Sequence, residues 1–99
     1  MAKREKLSKE AIDAFVAKGQ GWKREGEALE KSFSFKYWGS TIGFVVHLGF
    51  AAEKRDHHPD LAVRWGQVTV RWSTHDSGGI TATDVEMAEM TDHVYLNAR

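Results

Sequence analysis

The sequence predicts an α+β domain: a four-stranded antiparallel sheet with three helices on one face, in the order α-β-β-α-β-β-α. Three observations carry this. Residues 32–36, 61–65 and 68–73 alternate apolar and polar side chains, the period of a half-buried strand. Three other segments repeat apolar residues at helical spacing. Finally, 99 residues that are 41% apolar, with four Trp, five Phe and two Tyr, can build one core and leave no room for a second domain. Residues 1–99 are therefore read as a single domain.

The first helix spans residues 9–18. Ser8 is its N-cap, a hydroxyl able to accept from an orphan amide of the first turn. Leu7 and Ile12 have the spacing of a hydrophobic staple. Ala11, Ile12, Phe15 and Val16 share a stripe, and Gly19 and Gly21 end the segment. A hairpin follows: residues 22–25 and 28–35 flank Gly26-Glu27, and Phe33 and Phe35 alternate with Ser32, Ser34 and Lys36.

Residues 37–55 are apolar almost throughout. Strict alternation fails there, so the segment reads as a mostly buried helix. Its stripe is Ile42, Val45, Val46, Gly49 and Ala52, widened by Phe44, Leu48 and Ala51. Gly43 and Gly49 each cost such a helix up to about 1 kcal/mol against Ala, a cost that close packing offsets.

In the second hairpin Leu61, Val63 and Trp65 alternate with polar or small residues along the first strand, and Val68, Val70 and Trp72 along the second. Gly66-Gln67 suits a two-residue type II′ turn. That turn pairs Trp65 with Val68, Val63 with Val70 and Leu61 with Trp72, and puts all six on one face. Extended outward, the register sets His58 opposite His75 and draws His57, His58 and His75 to the open end of the hairpin. The last helix opens at Thr81 with a capping box closed by Asp84. Val85, Met87, Ala88, Met90, Val94 and Tyr95 form its apolar side.

Composition excludes several functions. With no cysteine, there is no disulfide, thiolate metal site or Cys nucleophile. Fourteen basic residues balance fourteen acidic ones, against the basic excess of a dedicated nucleic-acid binder. Residues 42–52, the longest apolar stretch, are interrupted by His47 and fall short of a roughly 20-residue membrane span. The charged start is not followed by an apolar signal core, so a cytoplasmic location is expected. There is no phosphate loop and no GxSxG nucleophile motif.

The histidine trio is the constellation that carries chemistry. Imidazole both gives and takes protons near neutral pH. His47 and His93 stand apart and read as solvated or satisfied residues. Zinc is the competing use of three histidines, but neighbours in an extended chain point to opposite faces, which disfavours joint ligation by His57 and His58.

The run Ala52-Glu53-Lys54-Arg55-Asp56-His57-His58-Pro59-Asp60 resembles the signature of the pterin-4a-carbinolamine dehydratase family, also called the dimerisation cofactor family. Val68-Thr69-Val70-Arg71-Trp72-Ser73-Thr74-His75-Asp76 resembles its strand ending in Ser-Thr-His and an acid, and Ile80-Thr81-Ala82-Thr83-Asp84 the start of its last helix. Gly21-Trp22 and Phe33-Ser34-Phe35 fit as well. The resemblance implies the fold already predicted. It also implies a hydro-lyase reaction, loss of water from 4a-hydroxytetrahydropterin to give quinonoid dihydropterin, in support of pterin recycling for aromatic amino-acid hydroxylases. The pterin is the substrate; no metal and no organic cofactor is implied.

By that resemblance, His57 and His75 are the acid–base candidates, and His58 orients or polarises the pterin and shares in proton transfer. Asp56, Pro59, Ser73, Thr74 and Asp76 line the site. Glu53 and Asp84 stand behind them, positioning imidazoles or the pterin ring. The implied assembly is a homodimer or homotetramer, with an aromatic amino-acid hydroxylase as a possible partner and no direct contact to nucleic acid or membrane. The alternative is a non-enzymatic dimerisation cofactor or assembly protein of the same fold.

Overall fold

The computed structural model describes residues 4–98. Over them the elements follow in the expected order: α1 (Lys9–Val16), β1 (Lys23–Glu25), β2 (Ala28–Ser34), α2 (Trp38–Arg55), β3 (Asp60–Arg64), β4 (Gln67–Trp72) and α3 (Ala82–Ala98), with a short 3-10 turn at His75–Ser77. The sheet is antiparallel, in the order β1-β2-β4-β3.

The central pair β2–β4 sets the core. Leu29 lies opposite Trp72 and Phe33 opposite Val68, and all four are buried. Full burial of each such side chain favours folding by about 1.5–3 kcal/mol. Lys31 shares this face, opposite Val70. Its ammonium lies 4.9 Å from the centroid of the Phe33 ring and donates to Asp92 at 2.7 Å and to the Gln20 carbonyl at 2.6 Å. A lysine is tolerated there because its charge is met at the sheet margin while its methylenes fill apolar space.

The helices close over this face. Ser8 caps α1 as expected, accepting from the Ala11 amide at 3.1 Å, and Ile12 and Phe15 are buried. α1 stops at Val16, two residues short of its expected end, where Lys18 bonds back to Phe15 in a tightened last turn. Phe33, Phe35, Phe44 and Tyr95 form an aromatic cluster with ring centroids 4.9 to 6.0 Å apart.

Two sequence readings need correction. The buried line of α2 is Thr41, Phe44, Leu48 and Ala52, whereas Val46, Gly49 and Phe50 face outward. The helix therefore buries one face and leaves Trp38, Val46 and Phe50 exposed, and it is not mostly buried. The β3–β4 register is also shifted by two: Val63 pairs with Val68 and Leu61 with Val70. The turn is Trp65-Gly66, and glycine supplies positive φ (74°) at its second central position. A side chain at Gly66 would approach the Phe35 carbonyl to 3.0 Å, while the Gly66 carbonyl accepts from the Phe35 amide at 2.8 Å. Docking onto the end of β2 thus selects this turn. A shift of two preserves which face each residue takes, so Val68 and Val70 are buried as expected. Trp65 leaves the strand and is 72% exposed.

Candidate active site

Three chain segments meet at one end of the sheet, and each is shaped by local chemistry. The first is the end of α2. The Asp56 amide bonds to the Glu53 carbonyl at 3.0 Å and the His57 amide to the Ala52 carbonyl at 3.2 Å. Asp56 takes left-handed backbone angles (φ 51°, ψ 42°). This is a Schellman stop with aspartate where glycine is usual. It reverses the chain and turns His57 back beneath the helix.

The second segment follows β4. Thr74 and Gly79 exchange backbone hydrogen bonds of 2.9 and 3.3 Å, closing a tight loop that carries His75 and Asp76 at its exposed tip. The third is the start of α3. The Asp84 side chain reaches back to the Thr81 amide at 2.8 Å, the acidic half of the expected capping box.

Asp84 joins all three. It is fully buried. One carboxylate oxygen accepts from His57 Nε2 at 2.7 Å; the other accepts from the Thr74 hydroxyl at 2.8 Å as well as from the Thr81 amide. A buried carboxylate is tolerable only when so fully bonded. His57 is itself buried, and its ring lies parallel to Trp72 (8° between planes, centroids 5.8 Å apart). Trp72 is held in turn by its indole N–H, which donates to Thr91 at 3.0 Å.

Beside this network opens a cleft of about 310 Å³, lined by Arg4, Asp56, His57, His58, Pro59, Asp60, Ser73, Thr74, His75 and Asp76. That volume is at the small end of ligand pockets and suits a compact ring. The three histidines and all five residues expected to line the site are brought together here. Glu53 stands behind His58, with its carboxylate 2.8 Å from His58 Nε2. Asp84 stands behind His57.

The convergence has a different origin from the one the sequence suggested. The true register continues toward Ser73, not His75, opposite His58. His75 arrives through the turn beyond β4. Sequence reasoning missed Arg4 and Asp60, which line the cleft, and Thr81, which is buried behind it. Asp60 was within reach as the residue next to Pro59. Arg4 carries no sequence signal. It is brought in by backbone ties, the Leu7 amide to the Ile80 carbonyl at 2.8 Å and the Ser77 hydroxyl to the Arg4 carbonyl.

Imidazoles with carboxylates behind them, gathered in a ring-sized cleft at a sheet end, are equipment for moving protons on a small molecule. Comparison with known proteins narrows this class. The family model described as pterin 4 alpha carbinolamine dehydratase matches residues 5–94. A relative from Thermosynechococcus vestitus, provisionally named pterin-4-alpha-carbinolamine dehydratase, is 43% identical over 90 residues, 91% of this chain and 95% of its own. One from Mycolicibacterium smegmatis with the same provisional name is 40% identical over 88 residues, 89% and 94% of the two chains. The crystal structure of a transcriptional coactivator/pterin dehydratase from Brucella melitensis superposes with a TM-score of 0.87 at 29% identity, covering 92% of this chain and 99% of that one. A pterin dehydratase-like protein identified as a RuBisCO assembly factor shares the fold alone, with a TM-score of 0.62 at 19% identity over 75% of this chain and 86% of its own. The chain belongs to the pterin-4-alpha-carbinolamine dehydratase family.

Proposed function

We propose that this protein dehydrates 4a-hydroxytetrahydropterin to quinonoid dihydropterin by acid–base chemistry of its clustered histidines, in support of tetrahydropterin recycling. The observation that carries the reading is the convergence of His57, His58 and His75 on one cleft. The reaction breaks one C–O bond. A proton goes to the departing hydroxyl, which leaves as water, and another is removed from a ring nitrogen. Neutral and protonated imidazoles perform these two transfers, and each is worth about 10²–10⁴ in rate.

The three histidines divide the work by environment. His57 is buried and bonded to Asp84, which suits holding and polarising the ring. His58 and His75 are exposed, which suits exchanging protons with solvent between turnovers. This moves the emphasis of acid–base work from His57 toward His58, with His75 retained. Asp56, Pro59, Ser73 and Asp76 offer contacts to the pterin edge. Thr74 lines the cleft, but its hydroxyl is committed to Asp84. No metal or organic cofactor takes part in the proposed reaction.

Tyr37 at the N-cap of α2, Trp38, Val46 and Phe50 on α2, and Trp65 at the β3–β4 turn are large exposed apolar residues and favour self-association as a homodimer or homotetramer. Among the described residues, no helix is long and apolar enough to cross a membrane.

The test is stopped-flow decay of 4a-hydroxytetrahydropterin. Wild type accelerates the decay, and His75→Ala and His58→Ala each lose about 10²-fold or more of that acceleration while keeping the fold. Decay at the uncatalysed rate with wild type overturns the reading and favours a binding role. Light scattering tests the association: a monomer at micromolar concentration removes it.

A further inference from the structure

The mechanism leaves the buried side chain of Thr81 unused. It sits at the N-cap of α3, where a hydroxyl ordinarily accepts from an amide of the first turn. Here the Asp84 amide bonds instead to the Thr81 carbonyl at 3.0 Å. The hydroxyl turns the other way, 2.8 Å from the hydroxyl of Thr74 and 3.3 Å from Asp84. Thr74, Thr81 and Asp84 are all at most 3% exposed, so solvent cannot substitute for any of them.

We infer that the hydroxyls of Thr81 and Thr74 form a one-way hydrogen-bond relay that holds the Asp84 carboxylate in place as the acceptor of the His57 Nε2–H, leaving Nδ1 as the ring atom open to the substrate. Its last clause rests on the dehydratase reading.

Hydrogen counting gives the direction. A carboxylate has no hydrogen to donate. The 2.8 Å contact between Thr74 and Asp84 therefore uses Thr74's only hydroxyl hydrogen. The 2.8 Å contact between the hydroxyls must then use Thr81's. The reverse arrangement would leave Thr74 and the carboxylate at 2.8 Å with no hydrogen between them, two sets of lone pairs in opposition. Thr81 thus donates to Thr74 and Thr74 donates to Asp84, each bond polarising the next. With Thr74 and the Thr81 amide filling one oxygen of Asp84, the other is left for His57, and Nε2 must carry the hydrogen. Among the described residues, His57 Nδ1 has no hydrogen-bond partner. The two threonines are positioning residues: they act on the reaction only through Asp84 and His57.

The experiment is nitrogen-15 NMR of the histidine rings in the full chain at mildly alkaline pH, with turnover measured on the same samples. Wild type shows His57 as the Nε2–H tautomer alone. Thr81→Val replaces the hydroxyl with a methyl group; the Nε2–H tautomer persists, since the carboxylate still cannot donate, but Asp84 loses its support, the His57 ring resonances shift and kcat falls about tenfold, as for loss of an outer partner of a functional imidazole. KM changes less than about twofold, because a relay behind the ring does not touch the substrate. Thr81→Ser restores both signals. A predominant Nδ1–H tautomer in wild type overturns the relay, and that measurement does not depend on any variant folding. So does an unaltered His57 signal in folded Thr81→Val. A His57 signal that shifts in Thr81→Val and returns in Thr81→Ser, in a protein that does not turn over the pterin, upholds the relay and removes only the dehydratase reading.

Discussion

Adjacent histidines in this chain make nearly the same bond in opposite surroundings. His57 lies 2.7 Å from Asp84 with side chains 7% and 0% exposed; His58 lies 2.8 Å from Glu53 with side chains 55% and 77% exposed. Distance alone would rate the pairs equal. Burial separates them. In the outer pair, water competes for both partners and salt screens what remains, so the bond orients a ring without holding the fold together. In the inner pair, three donors converge on a carboxylate that has nowhere else to go. There the main energetic fact is the penalty for removing one member and stranding the others. One motif thus supplies a buried imidazole and an exposed one.

The comparison breaks most visibly at Asp84. Asp84→Ala strands the hydroxyl of Thr74, the amide of Thr81 and the ring of His57, and should cost about 3–5 kcal/mol, read as a lower urea midpoint. A loss below about 1 kcal/mol would mean that the two pairs are equivalent after all. Trp72→Phe attacks the inner pair indirectly. It removes the donor to Thr91 and thins the surface on which His57 stacks, at an expected cost of about 1–3 kcal/mol with a visible shift of the His57 ring resonances. Asp56→Gly relieves the left-handed residue between Glu53 and His57. It should raise stability by about 0.5–1 kcal/mol while turnover falls, since the cleft loses a carboxylate. A gain in both would remove Asp56 from the site. Glu53→Ala is the smallest change to the fold, under about 0.5 kcal/mol. Added salt should mimic its effect on the His58 resonances and leave those of His57 in place.

Much of this was legible in the sequence, for definite reasons. Alternation at Phe33 and Phe35 and along Val68, Val70 and Trp72 exposed the sheet, because a strand with one buried face has no other way to be written. Ser8, Thr81 and Asp84 exposed two helix starts. The residues of the cleft lay in two short runs. Other features stayed hidden. Period-two alternation fixes a face but not a shift of two residues, so the β3–β4 pairing awaited the contact between Gly66 and Phe35. The phase of α2 was unreadable because Ile42 to Ala52 offers almost no polar side for contrast; Thr41 belongs to the buried line although its side chain is polar. Thr81 announced a cap, and nothing along the chain indicated that its hydroxyl would face Thr74, since that contact exists only once the β4 loop has closed.

The tie between Ser77 and Arg4 has a practical consequence. The polypeptide enters the fold at the rim of the cleft, with Arg4 among the lining residues. At the other end Ala98 borders the outer groove of α2, beside Gly43 and Val46. Bulk attached close to residue 4 would crowd the histidine cleft, and bulk attached close to residue 98 would crowd the apolar groove of α2. Assays of turnover are best run on protein free of added bulk near residue 4 and measurements of mass on protein free of it near residue 98, so that neither surface is obstructed while it is being measured.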